Sequence, residues 1–179
     1  MSDRTAKLLS RLRRGIAKSQ EMFESLETEE WDLVLYEEPY PWRVRDLLAH
    51  FVSAEVGLLR LAQDVAASGS GAPKGFDYDA FNASEQERFA HVPREQLLVD
   101  LIAARQVTLA WVGELEEIAL DRAGRHPALG EITVETFINA IYGHQLMHMQ
   151  DLMRLLGRSD NTALSAPWRQ PWPIKTSDR

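Results

Sequence analysis

The sequence predicts an all-α protein, a four-helix bundle with a short extra helix in the connection between the second and third long helices. Three observations carry that prediction. Four stretches of about 25 residues set apolar side chains three and four positions apart, the period of a helix with one buried face. Extended character is confined to one short run, Trp31–Tyr36. Chain breakers fall between the four stretches, most densely at Ser68–Gly75. The bundle is assigned to residues 1–157, and residues 158–179 form a Pro/Trp-containing tail.

The first helix runs from Asp3, which can cap it, to about Leu26 on the stripe Leu8, Leu9, Leu12, Ile16, Phe23 and Leu26. Glu27–Tyr40 has no helical period, and Pro39 and Pro41 close it as a loop. The second helix covers about Trp42 to Ala67, with Val44, Leu47, Leu48, Phe51, Leu58, Leu59 and Ala62 facing inward. After the glycine-rich loop, Asp77–His91 makes the short extra helix carrying Tyr78, Phe81 and Phe89. Pro93 suits the first turn of the third long helix, where no amide hydrogen is needed. That helix continues to about Leu120 on Leu97, Leu101, Ala104, Thr108, Trp111, Leu115 and Ile118. Gly124, Pro127 and Gly130 make Arg122–Glu131 a connection. Thr133 caps the last helix and Gly157 ends it. The tail sets three prolines around Trp168 and Trp172, two large groups that call for a surface to cover.

At 179 residues the chain is long enough for one domain with a full core. No run approaches the ~18 apolar residues of a membrane span, and Met1–Ala17 is too charged for a secretory signal, so a cytoplasmic location is expected. A net charge of −7 argues against nucleic acid or an anionic membrane as partner. Arg11, Arg13, Arg14 and Lys18 are followed by acidic residues and read as a solvated face. The chain has no cysteine. That excludes disulfides, thiolate metal ligands and a thiol nucleophile of its own; any thiol used here comes from outside.

His144 and His148 stand four apart on the last helix, turned about 40° and raised about 6 Å from one another, so both imidazoles leave the same side. Phe137, Ile141, Leu152 and Leu155 share that side, which places the pair on or beside the buried face. His50, midway along the second helix, has Leu47, Ala54, Gly57 and Leu61 as helical neighbours and faces inward too. Three interior histidines are either core groups bonded to other side chains or a neutral nitrogen triad for a metal, and bundle cores are a recurrent place for such sites.

Trp42-Arg43-Val44-Arg45-Asp46 leading to His50, followed by His144-x-x-x-His148 with Asp151-Leu152 behind it, resembles the paired signatures of the DinB-like superfamily of four-helix metal proteins. The likeness extends over about Asp3 to Gly157. It departs at Arg43, where the family usually has a serine or threonine that caps the second helix. The resemblance implies an up-down-down-up bundle, often a homodimer, with zinc or nickel held by His50, His144 and His148. It also implies kinship with low-molecular-weight-thiol S-transferases and mycothiol-dependent maleylpyruvate isomerases, with some hydrolytic members.

Three neutral ligands leave a divalent ion positive and open to a further ligand, the arrangement of a catalytic site. The expected function is transfer or use of a small thiol on a small electrophilic substrate. The alternatives are a hydrolase working through hydroxide and a non-catalytic metal- or ligand-binding stress protein. Around the triad, Asp151 can accept an imidazole N–H or pair with Arg154. Asp46 can do the same for His50 or simply favour the helix N-terminus. Asn82 and Tyr78 can line a pocket mouth, and Arg105 can meet a substrate carboxylate or snorkel at the surface. Glu55 reads as a surface residue, and His91 and His126 as non-ligands.

Overall fold

The structure, a computed structural model, describes residues 2–38 and 40–158. Pro39 and the tail with Trp168 and Trp172 lie outside the described residues. The helices are α1 (Asp3–Glu24), α2 (Val44–Ala66), the short α3 (Tyr78–Phe89), α4 (Arg94–Glu114) and α5 (Val134–Leu155). Side-chain pairs fix their directions. Arg4 bonds Glu135 at the start of α5, Arg11 bonds Asn139, and Arg158 beyond α5 reaches Ser25 beyond α1, so α1 and α5 run parallel. Arg45 bonds the Phe89 and Val92 carbonyls ahead of α4, and Glu55 meets Arg105 and Thr108 further down, so α2 and α4 run parallel as well. The start of α2 packs with the end of α5, Val44 and Leu47 sharing a cluster with Met149 and Leu152. The bundle is therefore up-down-down-up. Two successive long helices that run parallel need a return the length of the bundle, and the Ser68–Gly75 loop with α3 provides it.

Both ends of the bundle are closed by short ladders that the sequence reading does not contain. Strands β1 (Val34–Tyr36) and β2 (Trp42–Arg43) pair antiparallel, and so do β3 (Ala123–His126) and β4 (Gly130–Thr133). The Trp31–Tyr36 segment is extended only in its second half, since Thr28–Asp32 forms a 3-10 turn. Arg122–Glu131 is a connection in the form of a hairpin, and α2 begins two residues after Trp42, which belongs to β2. Strands of two to four residues carry no periodicity, so hydrophobic pattern cannot announce them. Gly71, at φ +75°, has Arg125 so close that a Cβ would lie 2.4 Å from its carbonyl oxygen; this lets the glycine-rich loop lie along β3.

Caps shift by small steps. Ser2, not Asp3, accepts the Thr5 amide at the head of α1, while Thr133 caps α5 by accepting from Thr136 and Gly157 follows its end at φ +63°. Helix α4 stops at Glu114 and Ile118, on the expected stripe, is 70% exposed. Glu114, Glu116 and Glu117 crowd negative charge at a helix C-terminus, where the dipole disfavours it.

The core divides into two apolar clusters. One gathers Leu8, Leu12, Ala62, Val65, Val112 and Phe137 towards β3–β4, and the other gathers Phe23, Val44, Phe51, Leu97 and Leu152 towards β1–β2. Between them lies a charged waist. Arg105 is fully buried and grips the Glu55 carboxylate with two N–H groups at 2.7 Å. It also donates to the Leu12 carbonyl at 2.7 Å and to Gln145 Oε1 at 2.8 Å, while the Thr108 hydroxyl donates to Glu55 at 2.6 Å. One guanidinium thus bonds α1, α2 and α5 from its seat on α4. This corrects two expectations: Glu55 is not a surface residue, and Arg105 neither snorkels nor offers itself to a substrate, because its donors are turned onto protein acceptors.

His126, buried on β3, accepts the Ala128 and Leu129 amides on Nδ1 at 3.1 and 3.2 Å. Burial pushes its pKa down to about 4, below that of an unfolded histidine. The group binds fewer protons folded than unfolded, so its stabilisation is complete above about pH 6.5 and is lost as pH falls towards 4, by roughly 3 kcal/mol once both states are protonated. Unfolding titrations of the metal-free protein should show this loss, and His126→Asn should remove that component while keeping an acceptor for the two amides.

Candidate metal centre

His50 lies in the second turn of α2, His144 at the middle of α5 and His148 one turn beyond it. Because these helices are antiparallel neighbours, the three rings meet beneath the β1–β2 hairpin. His144 Nε2 is 2.9 Å from His50 Nε2 and 3.1 Å from His148 Nε2, and the three ligand atoms all lie within 4.8 Å of one another. A tetrahedral ion with ~2.0–2.1 Å bonds to nitrogen spaces its ligands about 3.4 Å apart, close to what the side chains already present. A ring nitrogen has a single in-plane site, so His144 Nε2 cannot form two straight hydrogen bonds at once. One cation at the centre satisfies all three nitrogens, and the residues fit a divalent metal.

His50 and His144 are buried, and His148 is half-buried. The Trp42 ring lies 4.8 Å from the His50 ring, and Phe51 stands 6.3 and 6.1 Å from His144 and His148. Burial, reinforced by the neighbouring imidazoles, holds His50 and His144 well below the usual histidine range. Burial brings His148 down to about 4 against the opposing pull of Asp151. All three imidazoles are neutral at pH 7, the form in which a histidine ligates.

Around the triad the sequence-predicted neighbours divide. Asp151 does reach His148, but through Tyr36: the Tyr36 hydroxyl donates to Asp151 Oδ2 at 2.7 Å and lies 2.6 Å from His148 Nδ1. Arg154 holds the other Asp151 oxygen, so both expected partners of this carboxylate are present. Asp46 serves the helix end: its Oδ2 accepts the Arg43 amide at 2.9 Å, the half of a capping box that runs from the third helical residue back to the cap. Arginine has no acceptor, so Arg43 contributes only that amide. Tyr78 and Asn82 are half-buried on α3, which follows the flank of α2 with Phe81 over Gly57 and Gln86 bonded to the Asp46 carbonyl. Arg105 belongs to the waist. Tyr36 was not among the expected site residues, and a three-residue strand carries no period that could have signalled it.

Two surface cavities of ≈ 330 and ≈ 310 Å³ open elsewhere, one by Trp111 and Arg122, the other between α1 and α5 at Ser19 and Met149. Neither is lined by a histidine, so chemistry and not hollow volume locates the site.

No curated protein matches the chain by sequence. Among solved structures, the chain is similar to YfiT from Bacillus subtilis, described as a probable metal-dependent hydrolase with an unusual four-helix bundle topology, at 19% identity and a TM-score of 0.68 over 89% of this chain and 91% of that one. It is also similar to the mycothiol-dependent maleylpyruvate isomerase, in native and mutant forms, at 14% identity and TM-scores of 0.67 and 0.68 over 85% of this chain; the match spans 63% of the isomerase. A sequence profile of the DinB superfamily matches residues 11–152, from the third turn of α1 to near the end of α5, and the chain belongs to that superfamily.

Proposed function

We propose that the protein is a divalent-metal-dependent enzyme in which His50, His144 and His148 hold zinc or nickel, and that it activates a low-molecular-weight thiol towards a small electrophilic substrate, as an S-transferase or thiol-dependent isomerase. The observation that carries this reading is the convergence of three neutral Nε2 atoms in a site walled by Trp42 and Phe51 and open at His148. A divalent ion held there supplies the positive charge that favours the deprotonated form of a thiol or water beside it. Neutral ligands leave that charge uncompensated, and the aromatic walls keep out water that would screen it. The chain has no cysteine to compete for the ion or to form mixed disulfides with a thiol cosubstrate. Tyr78 and Asn82 are proposed for the pocket rim, and a homodimer for the assembly.

Likeness in fold to the mycothiol-dependent isomerase supports the thiol reading, and likeness to YfiT supports a metal-dependent hydrolase as the second. Cobalt substitution separates them. With glutathione, mycothiol and bacillithiol offered in turn, at least one should produce a sulfur-to-cobalt charge-transfer band and thiol-dependent consumption of a chlorinated arene or an epoxide. No band with any thiol, together with ester or amide hydrolysis in its absence, establishes the hydrolase instead. A bound ion with neither activity nor an exchangeable ligand points to a binding protein.

A further inference from the structure

The contact between Tyr36, Asp151 and His148 has a direction, because the three groups share few protons. Asp151 presents one carboxylate oxygen to Arg154, which can only donate, and the other to Tyr36. The single Tyr36 hydrogen goes to Asp151, since a carboxylate beside a guanidinium accepts. The Tyr36 oxygen is then left with lone pairs only, and it sits 2.6 Å from His148 Nδ1. A contact that short between two acceptors would be repulsive, so Nδ1 must carry the hydrogen and donate it to Tyr36. A neutral imidazole has one N–H, and with it on Nδ1 the Nε2 atom is bare and faces His144 at 3.1 Å.

We propose that Tyr36 is a positioning residue that fixes His148 in the Nδ1–H tautomer and so keeps its Nε2 ready for the ion. The inference rests on the metal reading of the histidine triad and assigns a task to a residue outside it. The hairpin that carries Tyr36 is built for that task. Tyr36 on β1 packs edge-on to His148 at 5.6 Å and to Trp42 at 6.1 Å, and Trp42 on the paired β2 covers His50. The same two-stranded ladder therefore orients one proposed ligand on each of the two antiparallel helices. Asp151 acts one step further out, since without its acceptor oxygen the Tyr36 hydroxyl is free to rotate and donate to Nδ1, which would stabilise the wrong tautomer.

The test uses the full chain with Tyr36→Phe, which keeps the ring packing and removes only the hydroxyl, and Asp151→Ala, which keeps Tyr36 and removes the acceptor oxygen. Nitrogen-15 spectra of the metal-free wild type at neutral pH should report His148 as the Nδ1–H tautomer, and both substitutions should move it towards a mixture. Zinc affinity, measured by competition with a chelator, should fall on the order of 10- to 100-fold in Tyr36→Phe, the usual cost of removing a partner behind a metal-bound histidine. A purely structural role for Tyr36 would lower stability without moving the tautomer. A wild-type His148 protonated on Nε2, or a Tyr36→Phe variant with unchanged zinc affinity, overturns the proposal. If wild type and His144→Ala alike bind no zinc, the metal reading itself has failed, and the tautomer measurement, made without metal, still judges Tyr36.

Discussion

Replacing His144 with alanine is expected to empty the metal centre. Its Nε2 lies between the other two, 2.9 Å from His50 and 3.1 Å from His148, so its loss leaves two nitrogens on different helices with no atom joining them. Two neutral ligands on a divalent ion seldom compete with buffer and cellular chelators, and the fall in affinity should exceed the ~100-fold ceiling for loss of an outer-shell partner. Elemental analysis of purified protein should find about one divalent ion per wild-type chain, as a single three-histidine site requires, and a small fraction of that in His144→Ala. His50→Ala and His148→Ala should behave alike. Full occupancy in all three variants would place the metal elsewhere.

The second large effect concerns the waist. Glu55→Ala should destabilise the fold by about 3–5 kcal/mol, since it strands the Arg105 charge in a fully buried position. Urea unfolding measures the loss as a lower midpoint at an unchanged slope. Replacing both partners together, Glu55→Leu with Arg105→Met, should recover most of it, because the penalty comes from the orphaned charge more than from the missing attraction. A Glu55→Ala variant within about 1 kcal/mol of wild type would show that water enters the waist and solvates the guanidinium. The histidines should still bind metal in the double variant, which separates the waist from the site.

Much of this molecule is legible in its sequence, and the illegible parts have identifiable causes. The long helices can be read because each buries one face, and a face of Leu8, Leu12 and Ile16, or of Leu47, Phe51 and Leu58, repeats at the helical period. The histidines can be read because their spacing is local on α5 and because His50 interrupts an apolar face. The waist could have been found. Glu55 continues the row Leu48, Val52 and Leu59, and a carboxylate at a core position implies a buried cation, which Arg105 supplies from within an apolar stretch. Its partner lies 50 residues away, however, and no local pattern pairs them. Tyr36 was harder still. Its task depends on a two-residue strand, a hairpin register and a proton assignment, none of which leaves a period in the chain.

The waist also bears on when the proposed ion would bind. Glu55 follows His50 by five residues, about 7–8 Å of helix, and Gln145 directly follows His144, so the protein's own clasp lies just beneath the metal centre on the same two helices. Arg105 binds α1, α2 and α5 to α4 with protein atoms alone. Small zinc domains, by contrast, obtain their folding energy from the ion and collapse without it. Here the bundle can close first, and the ion proposed for the triad would enter afterwards. On the proposed metal reading, which ion is taken would be decided by supply and by the preferences of three imidazoles already in place, and an ion could be lost and replaced without passing through the unfolded chain.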